Sequence, residues 1–234
     1  MLRYILFSNN ELWGEVMGAG FEAYNQWGGL IISSEQSHTI FDHMYNMDVG
    51  HTGDWNFSTK FGNVVDLGYP ARTDLDRRDG FLHWIQFTQP GAWAFPGESL
   101  FKPNSARIIR TNRNIRPESG YLDVYDGSGT LIWSAKSASR MPRVTGTIAI
   151  DSGYDLENNI VSVNPGYNPF ILWEACIGSC STDGIVSGHS GALIRWTGSE
   201  VQVTWSKLKQ RGFNSIFSES RQMVIPYAKF MGYN

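Results

Sequence analysis

Ser187-Gly188-His189-Ser190-Gly191-Ala192-Leu193 is the stretch whose residue types come nearest to nucleophilic chemistry. A serine in a G-x-S-x-G elbow is exposed on a sharp turn between strand and helix, and a histidine oriented by a carboxylate takes its proton. Here Ala192 stands where the closing glycine would be, and the residues after it read as a strand rather than a helix. The other histidines, His38, His43, His51 and His83, lie in no recognisable base motif. The stretch therefore reads as a Gly/Ser turn entering the strand that carries Leu193 and Trp196, with hydrolysis at Ser190 as the weaker alternative.

Two further groupings could bind a metal or do redox chemistry. His38, Asp42, His43, Asp48 and His51 combine nitrogen and oxygen ligands, but their spacing is diagnostic of no metal. Histidines in an aromatic-rich stretch are more often hydrogen-bonded structural groups. Cys176 and Cys180 are the only cysteines, too few for a closed zinc site and not in Cys-x-x-Cys spacing. Two reduced thiols near a turn are expected, ahead of a small disulfide loop, which Gly178 would allow. No pair of carboxylates stands out as a glycosidase pair. No catalytic residue, cofactor or metal is thus expected.

The nine tryptophans are a different signal. Trp13, Trp84, Trp133, Trp173, Trp196 and Trp205 fall in strand-like runs and are expected in the core. Trp27, Trp55 and Trp93 fall in Gly- or Pro-rich stretches. These three are the candidate surface and partner contacts, since loop aromatics stack on sugars or anchor protein interfaces. The alternative, weighed equally, is that they plug the ends of a sandwich.

Composition narrows what must position these residues. At 41% hydrophobic the chain is no disordered polymer, and 234 residues bury a core without metals or disulfides. Charged residues are only 18%, with 25 glycines, which suits short strands joined by tight turns better than a helical bundle. A net charge of −3 leaves no footprint for nucleic acid. Arg107, Arg110, Arg113 and Arg116 alternate with Ile108, Ile109, Asn112 and Ile115 and read as a solvated strand face or linker rather than a phosphate-binding strip. The apolar run Leu2–Phe7 is too short for a secretory signal, and no segment reaches the length of a membrane span. A soluble chain made in a cytoplasm is expected.

Along the chain, a hairpin is expected from Leu2–Phe7 and Glu11–Val16, and a short strand at Leu30–Ile32. Residues 38–45 fit a strand or short helix, and 46–54 a loop. Val64–Leu67, Phe81–Phe87 and Arg107–Arg110 read as strands, and 90–103 as a surface loop. The clearest hairpin joins Tyr121–Tyr125 to Thr130–Ala135 through Asp126-Gly127-Ser128-Gly129, with Leu122, Val124, Leu131 and Trp133 on one face. Further strands are expected at 145–150, 160–163, 170–173 and 223–230, the last an edge strand because of Pro226. Ala192–Trp196 and Val201–Trp205 form a second hairpin. A short helix fits only within 36–48 or 206–222. The fold class is all-β, an antiparallel sandwich or barrel-like arrangement of short strands and hairpins, with 1–234 as one β-rich unit. Arg116-Pro117-Glu118-Ser119-Gly120 marks a subdivision into 1–115 and 116–234.

The hairpin Gly120-Tyr121-Leu122-Asp123-Val124-Tyr125-Asp126-Gly127-Ser128-Gly129-Thr130-Leu131-Ile132-Trp133-Ser134 resembles one found in small tail proteins of tailed bacteriophages. Tyr4 to Trp13 looks like a looser copy of it, and Met223 to Phe230 is similar to the final strand of such proteins. In that class the hairpin lies near the start of the chain, whereas here its best copy begins near residue 120. The resemblance implies a non-catalytic structural component of the virion, in the tail tip or fibre region. It would contribute to tail assembly and host adsorption. The implied partners are other tail proteins, copies of itself in symmetric assembly, threefold near a tip, and a host surface glycan or receptor. No nucleic acid and no membrane insertion are implied. A carbohydrate-binding β module is the alternative function.

Overall fold

The computed structural model describes residues 3–6, 21–24, 30–33, 38–47, 49–59, 61–70, 80–182, 187–218 and 221–234. Of residues 3–6, 21–24, 30–33, 49–56, 58, 62–66, 69, 70 and 182 it describes the backbone alone. The fold is all-β: the described helical structure is a few 3-10 turns and one four-residue helix, α1 (Phe213–Ile216). The chain divides into two compact units, residues 1–42 with 111–142, and residues 43–110 with 143–234. The division does not fall at residue 115. Each unit is assembled from stretches on both sides of that point, because strands from before it pair in one sheet with strands from after residue 142.

The smaller unit holds two small sheets. β1 (Arg3–Leu6), β2 (Phe21–Tyr24) and β3 (Leu30–Ser33) form one, with β1 pairing β2. The expected partner segment at 11–16, with Trp13, lies outside the described residues. β10 (Asp123–Tyr125) and β11 (Leu131–Ser134) form the other, the hairpin read from the sequence. Its inner face differs from the simple alternation. A register shift between Val124 and Tyr125 breaks the pleat, so Val124 and Ile132 are buried with Trp133 packed against them. Leu122 is left 56% exposed.

The larger unit is a two-layer sandwich. One layer contains β4 (Ile40–Asn46), β7 (Phe81–Phe87), β9 (Ala106–Asn112), β12 (Arg143–Asp151), β14 (Phe170–Leu172) and β18 (Gln222–Lys229), in the order β12-β18-β14-β7-β9-β4. The other contains β13 (Val161–Val163), β15 (Gly178–Thr182), β16 (Ser187–Trp196) and β17 (Val201–Leu208), in the order β13-β17-β16-β15, with β8 (Trp93–Ala94) pairing β16. Alternation explains the layering: in β18, Met223 and Ile225 are buried while Gln222 and Val224 are exposed. One shared core collects Ile85, Phe87, Ile108, Ile148 and Ile225 from the first layer with Ile194, Val203 and Trp205 from the second. Each such side chain contributes on the order of 1.5–3 kcal/mol of transfer free energy.

Four expectations are corrected here. Residues 46–54 are no loop: most of them enter β5 (Val49–Thr59), which pairs β6 (Gly62–Pro70) with several register shifts, so glycines that looked like turn residues sit in a bulged strand. Residues 90–103 are no surface loop either, since Trp93, Ala94, Phe95, Leu100 and Phe101 are buried. β8 continues the edge of β16 that β15 leaves, with Trp93 opposite Arg195. The Gly/Ser stretch 188–191 is strand, paired to β15 on one side and β17 on the other. Finally, β18 is an inner strand despite Pro226. β14 pairs only Tyr227 and Ala228, so Pro226 lies past the end of that ladder and no bond on that side needs its missing N–H.

Candidate functional site

Tyr121, at 98% exposed, is the most exposed large hydrophobic side chain among the described residues. Leu122 and Tyr125, the latter 50% exposed, stand beside it in sequence. Their backbone frame explains why these side chains are held out in water. Leu122 N donates to Gly120 O at 3.0 Å, closing a three-residue turn with Tyr121 at φ +68°. A side chain in this left-handed region costs on the order of 1 kcal/mol. The turn is braced by Asp123, whose carboxylate accepts from Gly120 N at 2.9 Å and from the Ser119 hydroxyl. The Gly120 N–H and then the Ser119 hydroxyl hold the Asp123 carboxyl below its usual range. Ala135 N donates to Leu122 O at 2.8 Å and ties the turn to the outgoing strand.

The far end is braced the same way. Asp126 Oδ1 accepts from Ser128 Oγ at 2.6 Å and from the N–H groups of Ser128 and Thr130, both at 2.9 Å. These bonds, the Ser128 hydroxyl foremost and the Thr130 N–H next, lower the Asp126 carboxyl as well. Gly129 takes the left-handed φ of +81° that this turn requires. At the base, Glu118 bridges Lys136 at 3.1 Å and Arg140 at 3.4 Å. The result is a braced hairpin that leaves two tyrosines and a leucine exposed. Large apolar side chains on a braced backbone are of the type that anchors protein contacts.

The three tryptophans put forward from the sequence fare differently. Trp27 lies outside the described residues, and of Trp55 the structure describes only the backbone, in β5. Trp93 is a correction: it is 6% exposed, in a core cluster with Phe95, Leu100 and Leu193, and the Arg195 guanidinium stacks over its ring at 4.3 Å. It plugs the sandwich and offers no surface. Tyr121, Leu122 and Tyr125 were not among the candidates. Their one sequence signal is position, directly after Pro117–Gly120 where a turn is expected.

Ser190 sits mid-strand and buried. Its Oγ donates to Arg211 O and accepts from Trp205 Nε1 at 3.2 Å. A hydroxyl so engaged faces neither a base nor an open cleft. His189 shares a hydrogen bond of 2.9 Å with Ser206 Oγ, and both residues are buried. Phe57 and Phe95 meet the His189 ring edge-on, and burial pushes its pKa down. His83 is more elaborate than its sequence context suggested. Its Nδ1 meets Glu174 Oε1 at 2.8 Å, and its N–H donates to both carboxylate oxygens at 3.0 and 3.1 Å. Its buried Nε2 has no hydrogen-bond partner among the described residues. Ninety-one residues separate the pair, a distance at which sequence spacing gives no signal.

Cys176 and Cys180 are reduced thiols, as expected, with Cys176 Sγ donating to Leu172 O at 3.3 Å. Burial, with the Glu98 carboxylate beside it, pushes the Cys180 thiol up to about 12, so it carries no thiolate at neutral pH. Among the described residues no group of three or more His, Cys, Asp or Glu could hold a metal ion. Asp48 and the His51 side chain lie outside them. Arg107 and Arg110 are not a phosphate strip: their guanidiniums lie over Phe170 at 5.6 Å and Phe81 at 4.9 Å. No described helix is long and apolar enough to cross a membrane.

Comparison with curated proteins returns no match, and comparison with solved structures returns none. A family model described as Domain of unknown function (DUF8377) matches residues 17–232, nearly the whole length from β2 through β18. The chain belongs to the DUF8377 family.

Proposed function

We propose that this chain is a non-catalytic structural component of a bacteriophage tail, in the tip or fibre region, which contacts its neighbours through the β10–β11 hairpin. The observation that carries the reading is the exposure of Tyr121, Leu122 and Tyr125 at the hairpin whose sequence resembles that of small phage tail proteins. Exposed large apolar side chains on a braced frame are a liability in a free monomer and suit a surface that other subunits cover. The low charge of the chain fits the same role. The buried, doubly bonded Ser190 hydroxyl favours a structural part over a hydrolase.

Purified, washed virions are expected to contain the protein in a few copies, detectable by mass spectrometry. Replacing Tyr121, Leu122 and Tyr125 together by serine is expected to remove it from particles or abolish adsorption, with an unchanged melting temperature. Absence from washed virions overturns the reading. Binding to a glycan panel that survives the triple substitution would favour a carbohydrate module acting through another surface.

A further inference from the structure

We infer that β12 pairs with β12 of a second copy of this chain, antiparallel across a twofold axis, joining two six-stranded sheets edge to edge. β12 is nine residues long and, among the described residues, pairs only with β18. Edge strands are normally kept from pairing by brevity, lysine or proline. Val144–Ile150 contains none of the charged residues or prolines that would do so. Thr145, Thr147 and Ala149 are exposed and small, and Val144 is 56% exposed at the same edge.

The backbone is turned the right way. Pro226 stands opposite Thr147 and has no N–H to give. The Tyr227 carbonyl faces β12, where it accepts from Thr145 Oγ1 at 3.5 Å. Successive residues of a strand point their N–H and C=O groups to opposite sides, so Pro226 turns its backbone toward β14. Thr147, its opposite number in the antiparallel ladder, turns its N–H and C=O toward the open edge. A twofold axis at Thr147 then lets each copy donate to and accept from the other.

Charge selects this partner and this direction. Arg143 begins the strand and Asp151 ends it, and neither has an ion-pair partner among the described residues. Antiparallel pairing about Thr147 brings Arg143 of one copy to Asp151 of the other, twice per dimer. The register shift between Val144 and Gly146 draws Arg143 inward by one position, a gap its long side chain spans. A parallel arrangement would set like charges side by side. This inference stands on the larger unit alone and does not depend on the tail reading.

Sedimentation of the full chain at micromolar concentration tests it. A dimer is expected for the wild type. Thr147→Pro removes an N–H that serves no bond to β18, so a monomer with an unchanged melting temperature is expected. Asp151→Arg is expected to weaken the dimer roughly tenfold or more, and adding Arg143→Asp to restore it. Should Thr147→Pro fail to fold, the charge exchange decides. A monomeric wild type, or a dimer indifferent to the charge reversal, overturns the proposal.

Discussion

Ser190 Oγ is committed twice, as donor to Arg211 O and as acceptor from Trp205 Nε1. Removing it leaves the buried indole N–H unsatisfied, together with a carbonyl that had its donor. Ser190→Ala is therefore expected to lower stability by about 1–3 kcal/mol in urea titration, the cost of stranding buried polar groups. A change under about 0.5 kcal/mol, the usual surface effect, would mean that the hydroxyl is better solvated than its bonds imply. Tyr121 stands at the opposite extreme, with its ring in water and its φ in the left-handed region. Tyr121→Gly is expected to leave the hairpin fold unchanged or slightly more stable, by up to about 1 kcal/mol, while removing its most exposed apolar side chain. Thermal denaturation checks it, and a loss of several degrees would show that the ring is needed for folding.

At the scale of elements, the glycines of β15 and β16 repay attention. Gly178 and Gly191 face each other in the ladder, and both lie under the Phe95 ring. An added Cβ on Gly191 would sit 2.6 Å from that ring and on top of Gly178, and one on Gly178 would sit 2.8 Å from the ring. Gly191→Ala is expected to destabilise by about 1–3 kcal/mol through overpacking, measurable as a shifted urea midpoint with an unchanged slope. The same residues explain why this strand was not legible. Glycine and serine in a row carry turn chemistry, and only the close approach of Phe95, 83 positions before Gly178 and 96 before Gly191, makes glycine a strand requirement there. Residues 90–103 failed for the same reason: proline and glycine read as surface, while Phe95 and Phe101 supply core from a distance. Met223–Phe230 was legible because its alternation is local information, and Phe81–Phe87, buried from His83 to Phe87, was legible as a short aromatic-rich run. The β10–β11 hairpin was legible in its turn but not in its faces, since a bulge shifts the pleat and carries no composition of its own. Its turn also sets a pH response. Asp123 and Asp126 sit below their ordinary value of 3.8 because the ionised carboxylates accept hydrogen bonds. Their contribution is whole above 3.8 and lost as pH falls through the lower folded values. Amide exchange in residues 120–135 is expected to accelerate in that acid range, and Asp126→Asn to blunt the change.

For the molecule as a whole, His189 is expected to contribute to the response to mild acid. His189 is the buried core of an aromatic and polar cluster in the larger unit, between Phe57, Phe95 and Ser206. Burial lowers its pKa from the ordinary value of 6.5, because the folded protein has no water to solvate an imidazolium there. The unfolded chain therefore binds a proton near 6.5 that the folded chain resists. Wherever the unfolded state binds more protons, stability rises with pH, so the contribution of neutral His189 is fully present above 6.5 and declines as pH falls toward the lower folded value. The charged ring also sits at the junction of β15, β16 and β17, opposite Cys180 and Leu208, so its protonation strains both ladders at once. Urea titrations from neutral to mildly acid pH are expected to show falling midpoints for the wild type. His189→Gln keeps a side chain able to bond Ser206 Oγ but cannot take a proton. It is expected to start less stable at neutral pH, since the amide packs less well against two phenylalanines, and to lose the slope through the histidine range. A variant that retains the wild-type slope would assign the pH response to another group and leave His189 a packing residue only.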